Sequence, residues 1–303
     1  MSTTIAFLGP VGTFTEAALQ RFAQDMGEVE PLAVNSPSQA LAAVRSGRAD
    51  FACVAIENSV DGAVTATFDA LMEGEPVQIY SEVDLPVVFD IMVRPGTQQS
   101  AVRTFSTHPV AYQQVREWLE KNLGEVEFVP ASSNGAAAEA VSRGEVDAAA
   151  APARAAEIYG LESVATGIAD VAEATTRFVL VGPVGKPTAR TGSDRTSVIF
   201  TIPNVPGSLV SCLQEFASRG VDMARIESRP TREGLGSYRF HVDLVGHIDD
   251  QLVAEALRAL WLRVPELRFV GSWPSATELA DSPRDVERLQ EAEEWVARLQ
   301  RGQ

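Results

Sequence analysis

The chain has 303 residues, 45% of them apolar and 22% charged, which is ordinary for a globular protein and long enough for two domains. A net charge of −16 argues against nucleic acid, whose binding draws on a local surplus of Lys and Arg, so any anion site must be built from backbone N–H groups and a few Arg side chains. Apolar runs stop short of the ~20 residues of a membrane span, and two cysteines with three scattered histidines form no metal-ligand pattern, so neither membrane nor metal is an expected partner.

The N-terminal MSTTIAFLGPVG enters a strand-like run with no basic region or cleavage site, which leads us to expect no secretory leader. Cys53 and Cys212 sit in apolar stretches and suit reduced thiols in the cytoplasm. TIAFLG (4–9) reads as a strand and FTEAALQRFAQDM as the following helix. PLAV is a short strand, SPSQALAAVRSG a helix with a Ser–Pro start, and DFACVAI a buried strand. VFDIMV, TFS, the helix HPVAYQQVREWLEKN, EFVPAS and NGAAAEAVSRG continue the alternation, which predicts a largely parallel sheet with helices packed on it. The segment 39–55 matches 136–152 at a constant offset of 97 residues, aligning Ala40, Val44, Gly47 and Asp50 with Ala137, Val141, Gly144 and Asp147. Each copy reads helix, Gly stop, Asp, buried strand. Any α/β unit resembles this pattern, but the repeat favours two lobes around a ligand cleft, in the manner of periplasmic binding proteins.

GPVGKPTARTGSDR (182–195) has no periodicity and reads as a linker. Beyond it TSVIFTI, PGSLVSCLQEFASRG, a hairpin-like pair around Glu233–Gly236, DDQLVAEALRALWLRV and LRFVGSW follow the order β-α-β-β-α-β, the ferredoxin-like split motif. The expected divisions are an α/β domain 1–182, a linker 183–195, a small domain 196–273 and a helical tail 274–303 carrying Leu289, Trp295, Val296 and Leu299 at helical spacing.

Three turns carry small polar residues at helix starts: Gly9 to Thr15 with Thr13, Ser106-Thr107-His108-Pro109, and Ser132-Ser133-Asn134-Gly135. Plain helix capping explains any one of them; together, from both lobes, they suit a small-anion pocket. Ile56 to Gly62 places Glu57, Asn58 and Ser59 at the end of a buried strand, where ligands of parallel sheets bind. Thr176-Arg177-Phe178 opens a later strand; by composition alone Arg177 there is as well read as a paired charge.

These blocks, in order, resemble bacterial prephenate dehydratases over nearly the whole chain: GPVGTFT (9–15), Ile56 to Gly62, Ser106 to Pro109, the Ala-rich run ending Tyr159-Gly160-Leu161, and Thr176-Arg177-Phe178. The second domain resembles an ACT domain through Gly207-Ser208-Leu209 and Glu227-Ser228-Arg229-Pro230. Ala55, Ala174 and Ser208 stand where that family usually has Pro, Asn and Ala. The resemblance implies decarboxylating dehydration of prephenate to phenylpyruvate without a cofactor. It implies that Thr176 donates or relays a proton to the leaving hydroxyl, with Glu57 and His108 as rival acids and Phe178 beside them. Arg177, Thr13, Ser106, Thr107, Ser132, Ser133 and Asn134 would hold the carboxylates, and Asn58 and Ser59 would orient the ring or a water. It implies L-phenylalanine as effector, at Asn204, Gly207, Ser208 and Leu209 of one subunit and Glu227, Ser228, Arg229 and Pro230 of another, hence a homodimer or homotetramer. An arogenate dehydratase and a non-enzymatic small-ligand receptor are the alternative readings.

Overall fold

The computed structural model describes residues 2–171, 173–231, 237–277 and 286–302, so the turn expected at Glu233–Gly236 lies outside the described residues. The chain divides into two compact units, Met1–Ala189 with Phe269–Thr277, and Arg190–Arg268 with Glu278–Gln303.

The first unit has two lobes. The first lobe contains β1 (Thr3–Leu8), α1 (Phe14–Ala23), β2 (Val29–Val34), α2 (Pro37–Arg45), β3 (Phe51–Asn58), β4 (Gly62–Ala63), α3 (Thr65–Met72) and the long β5 (Val77–Pro86). The second contains β6 (Phe89–Val93), β7 (Thr104–Thr107), α4 (Pro109–Gln113), α5 (Arg116–Asn122), β8 (Glu127–Pro130), α6 (Asn134–Ser142), β9 (Ala148–Ala151), α7 (Ala153–Tyr159) and β10 (Glu162–Ile168). The chain then returns to the first lobe as β11 (Thr175–Pro183). The lobe sheets run β5-β11-β3-β1-β2 and β10-β6-β9-β7-β8. Both are mixed rather than largely parallel: β1 pairs in parallel with β2 and β3, but β11 runs antiparallel to β3 and β5 because it re-enters the lobe from the opposite end. Ile5, Phe7, Leu19, Phe22, Phe178 and Leu180 form one core under α1, and Phe89, Ile91, Phe105, Val115 and Leu119 form another in the second lobe.

The repeat is visible in detail. α2 and α6 match at the sequence offset, and each ends in a positive-φ glycine, Gly47 at 71° and Gly144 at 76°. After each glycine the chain turns back to the helix, Arg48 N–H donating to Ala43 and Glu145 N–H to Ala140. Asp50 and Asp147 then accept from the backbone N–H groups of Thr4 and of Arg103 and Thr104, tying the unit to the neighbouring strand. The helix expected at HPVAYQQVREWLEKN is instead two helices. It breaks at Gln114, whose carbonyl accepts from Asp170 N–H and whose side chain turns to Asp61.

The second unit contains β12 (Asp194–Thr201), α8 (Ser208–Ala217), β13 (Met223–Pro230), β14 (Tyr238–Val245) and α9 (Gln251–Trp261), with β14 antiparallel to both β12 and β13. Phe200 stacks on Phe240 at 5.7 Å, and Asp243 takes Arg225 at 2.8 Å and Arg195 at 3.8 Å, burial of all three being nearly complete. The arginine charges, beside Ser197, outweigh burial and hold the Asp243 carboxyl below its usual range. The closing strand β15 (Glu266–Pro274) starts in this unit and ends in the first, where Gly271 pairs with Ile79 of β5. Gly271 has φ +149°, and an added Cβ would lie 2.4 Å from the Ile79 carbonyl oxygen. α10 (Val286–Gln300) supplies the expected tail helix, with Trp295, Val296 and Leu299 exposed.

Candidate active site

β11 crosses back beside the end of β3, with Thr176 opposite Asn58 and Arg177 opposite Glu57. Successive strand residues point to opposite faces, so the two pairs lie on different sides of the sheet. On one side Asn58 Nδ2 donates to Thr176 Oγ at 2.8 Å. The Asn58 amide cannot turn over, because its Oδ1 accepts from Val60 N–H at 2.8 Å and Asp61 N–H at 3.1 Å. Ser59 braces the same corner: its hydroxyl accepts from Thr175 N–H and its own N–H donates to the Thr175 carbonyl.

On the other side Arg177 grips Asp84 with two parallel hydrogen bonds of 2.9 and 3.0 Å, reaches Glu57 at 3.3 Å and lies 3.7 Å from Glu82. Burial alone would lower its pKa, but the bond to Asp84 and the three carboxylate charges reverse this and push it up. The guanidinium is shared among three carboxylates, the paired charge that composition alone also allowed for Arg177. Glu57, paired with it, is likewise turned from Thr176. Phe178 is 2% exposed among Ile5, Phe7 and Leu19, so it is core and touches no cleft.

The three polar turns resolve into caps. Thr13 Oγ accepts from Glu16 N–H and donates to the Leu8 carbonyl, Ser133 Oγ accepts from Ala136 N–H, and His108 Nδ1 accepts from Val110 N–H. Capping engages the Nδ1 of His108 and not its Nε2. Burial lowers the His108 pKa, against a smaller upward pull from Asp61. Thr107 spends its proton on the Ala150 carbonyl and accepts from Asn134 Nδ2, each at 2.8 Å. Ser106 is buried beside it and Ser132 is exposed. Ala174 packs in the second-lobe core, 3% exposed.

Sequence reasoning missed Glu16, Gln114 and Asp61. Glu16 stands three residues after Thr13, a T-x-x-E capping pattern that could have marked it. Gln114 is 1% exposed; its Nε2 donates to Asp61 Oδ2 at 3.3 Å from the other lobe, and its Oε1 has no partner among the described residues. No local pattern announces that pairing, which the folded lobes create.

In the second unit Asn204, Gly207, Ser208 and Leu209 line a cavity of about 220 Å³ with Tyr238 and Phe240. Gly207, at φ +85°, opens α8. Glu227, Ser228, Arg229 and Pro230 lie along β13 and do not line that cavity.

The fold defines the class: a two-lobed α/β protein carrying a ferredoxin-like module. The family model described as prephenate dehydratase matches residues 5–185, and that of the ACT domain residues 196–262. A prephenate dehydratase of Corynebacterium glutamicum is 55% identical over 99% of this chain and 97% of its own length; one of Mycolicibacterium gilvum is 53% identical over 98% of each. The crystal structure of a prephenate dehydratase from Arthrobacter aurescens in complex with L-Phe is 40% identical, with a TM-score of 0.89 over 99% of this chain and 100% of that one. The chain belongs to the prephenate dehydratase family, with a C-terminal ACT domain.

Proposed function

We propose that the two-lobed unit converts prephenate to phenylpyruvate, water and carbon dioxide, with Thr176 as the proton donor to the leaving ring hydroxyl. The observation that carries this is the Asn58–Thr176 hydrogen bond. A threonine hydroxyl has one proton to give and two lone pairs. Asn58 Nδ2 occupies a lone pair, so the Thr176 proton is directed elsewhere, and the incoming N–H dipole favours the alkoxide character that develops as the proton leaves. Loss of the carboxylate and departure of water make the ring aromatic, which drives the reaction without an electron sink. Carboxylates of the dianion would be met by first-turn N–H groups of α1 and α6, which helix geometry leaves unpaired. Thr13, Ser133 and Thr107 hold those turns in shape, Ser59 holds the strand corner beside Thr176, and Asn134, Ser106 and Ser132 border the turns. Arg177 and Glu57 brace the strand pair from behind, and His108 is the rival acid of this reading. Phenylpyruvate formation from prephenate by the Thr176→Ala enzyme tests the reading; wild-type turnover would overturn it, and the same assay with arogenate settles that rival.

L-Phenylalanine is the effector in this reading. The cavity at Asn204 to Leu209 takes the amino acid, and the Glu227–Pro230 strand of a second copy closes it, which requires at least a homodimer. The separation of these two groups within one chain supports a shared site. Added phenylalanine is expected to lower the rate and raise the melting temperature, and light scattering to give a dimer or tetramer. The enzyme works in the cytoplasm on this reading; among the described residues no helix is long and apolar enough to cross a membrane.

A further inference from the structure

The Ala-rich run ending in Tyr159-Gly160-Leu161 has no part in the reading above, yet it reaches the turn where the substrate is placed. Tyr159, at the end of α7 in the second lobe, donates its hydroxyl to the Val11 carbonyl of the first lobe at 3.0 Å. Gly12 N–H, the other end of the same peptide group, donates to Glu16 Oε2 at 2.6 Å. One peptide is thus held at both ends, by a side chain from each lobe. Glu16 is 7% exposed and has Arg154 of α7 at 3.7 Å, a second tie across the lobes. The approach is close: a Cβ added at Gly135 of α6 would lie 2.8 Å from Val11 O, and one at Gly12, already at φ +85°, would lie 3.1 Å from the Ala155 Cβ. Burial, with Glu139 and Glu16 nearby, pushes the Tyr159 hydroxyl above its ordinary range, so it stays a donor.

We propose that Tyr159 is a positioning residue, whose hydroxyl fixes the Val11–Gly12 peptide across the lobes and so sets the Gly9–Thr15 turn for the substrate. This rests on the reading that the turn receives a substrate carboxylate. Tyr159→Phe removes one oxygen and keeps the ring packed. Its KM for prephenate should rise about five-fold, the scale of one neutral hydrogen bond, with kcat unchanged and the melting temperature lowered no more than in Tyr80→Phe. Hydrogen exchange of the amides at residues 11–14 should quicken. Tyr80→Phe, which loses a hydroxyl bond to the Pro183 carbonyl in the same unit, is the control and should leave KM unchanged. Adding Glu16→Ala to Tyr159→Phe should raise KM by less than the product of the single effects, since both pin one peptide. An unchanged KM in Tyr159→Phe, or a KM rise that only follows lost thermal stability, overturns the proposal. The turn's own role is read separately, from protection of the same amides when prephenate binds the slow Thr176→Ala enzyme. If that protection is missing while exchange still quickens in Tyr159→Phe, the substrate reading fails and the clasp between the lobes stands.

Discussion

Thr176 and Arg177 are neighbours in sequence and belong to opposite worlds. On the Thr176 face the partner is one neutral amide, whose orientation two backbone N–H groups fix, and the hydroxyl keeps a proton to spend. On the Arg177 face the partners are Asp84, Glu57 and Glu82, three carboxylates around one guanidinium. A motif written as three consecutive letters therefore joins an amide-paired hydroxyl, a carboxylate-paired guanidinium and, in Phe178, a piece of core. The difference teaches that adjacency along a strand separates functions while adjacency across strands joins them.

That contrast can be broken in order of size. Thr176→Ala should lower kcat about 10²–10⁴-fold, the usual range for a lost general acid, with an unchanged melting temperature. Asn58→Asp should come close to it, because a carboxylate would draw the Thr176 proton toward itself; steady-state kinetics with paired thermal melts check both. Arg177→Met should do the reverse. It takes the bidentate partner from Asp84 in a partly buried site and should cost about 3–5 kcal/mol in urea unfolding, while the molecules still folded turn over prephenate. Ser133→Ala, which removes only the α6 cap, should cost about 1 kcal/mol by the same measurement.

His108 sharpens the comparison through pH. Its folded pKa lies below the ordinary histidine value, so its contribution is whole above that value and is lost as pH falls through the folded one. Protonation would also turn Nδ1 from the acceptor of Val110 N–H into a donor facing it. His108→Asn keeps a capping acceptor that does not titrate, so its melting temperature should fall less than wild type's between neutral and mildly acidic pH.

The scaffold was legible where local rules govern. The Gly47 and Gly144 stops, the two aspartates after them and the offset between the copies all fell where the residues placed them. The crossing strand β5 was not read, and β11 was read without its direction, because neither follows from its own residues. Within the site, single residues were legible and their partnerships were not. Asn58 and Thr176 meet only through strand register, and Gln114 finds Asp61 only once the lobes stand together. Capping was weighed for Thr13, His108 and Ser133, and the structure gives each of them a cap bond. Their polar character had two sufficient explanations in sequence, and coordinates are what separate them.

Glu82 carries a consequence for anyone wishing to cut this protein into parts. It accepts from Trp273 Nε1 at 2.9 Å, from Ser275 Oγ at 3.1 Å and from Ala276 N–H at 2.9 Å, all in the strand end that follows the second unit in the chain. A fragment ending at Ala189 would remove all three donors from that carboxylate. The catalytic piece is therefore written in two instalments, with the regulatory one set between them like a parenthesis, and no single scissor stroke releases it whole.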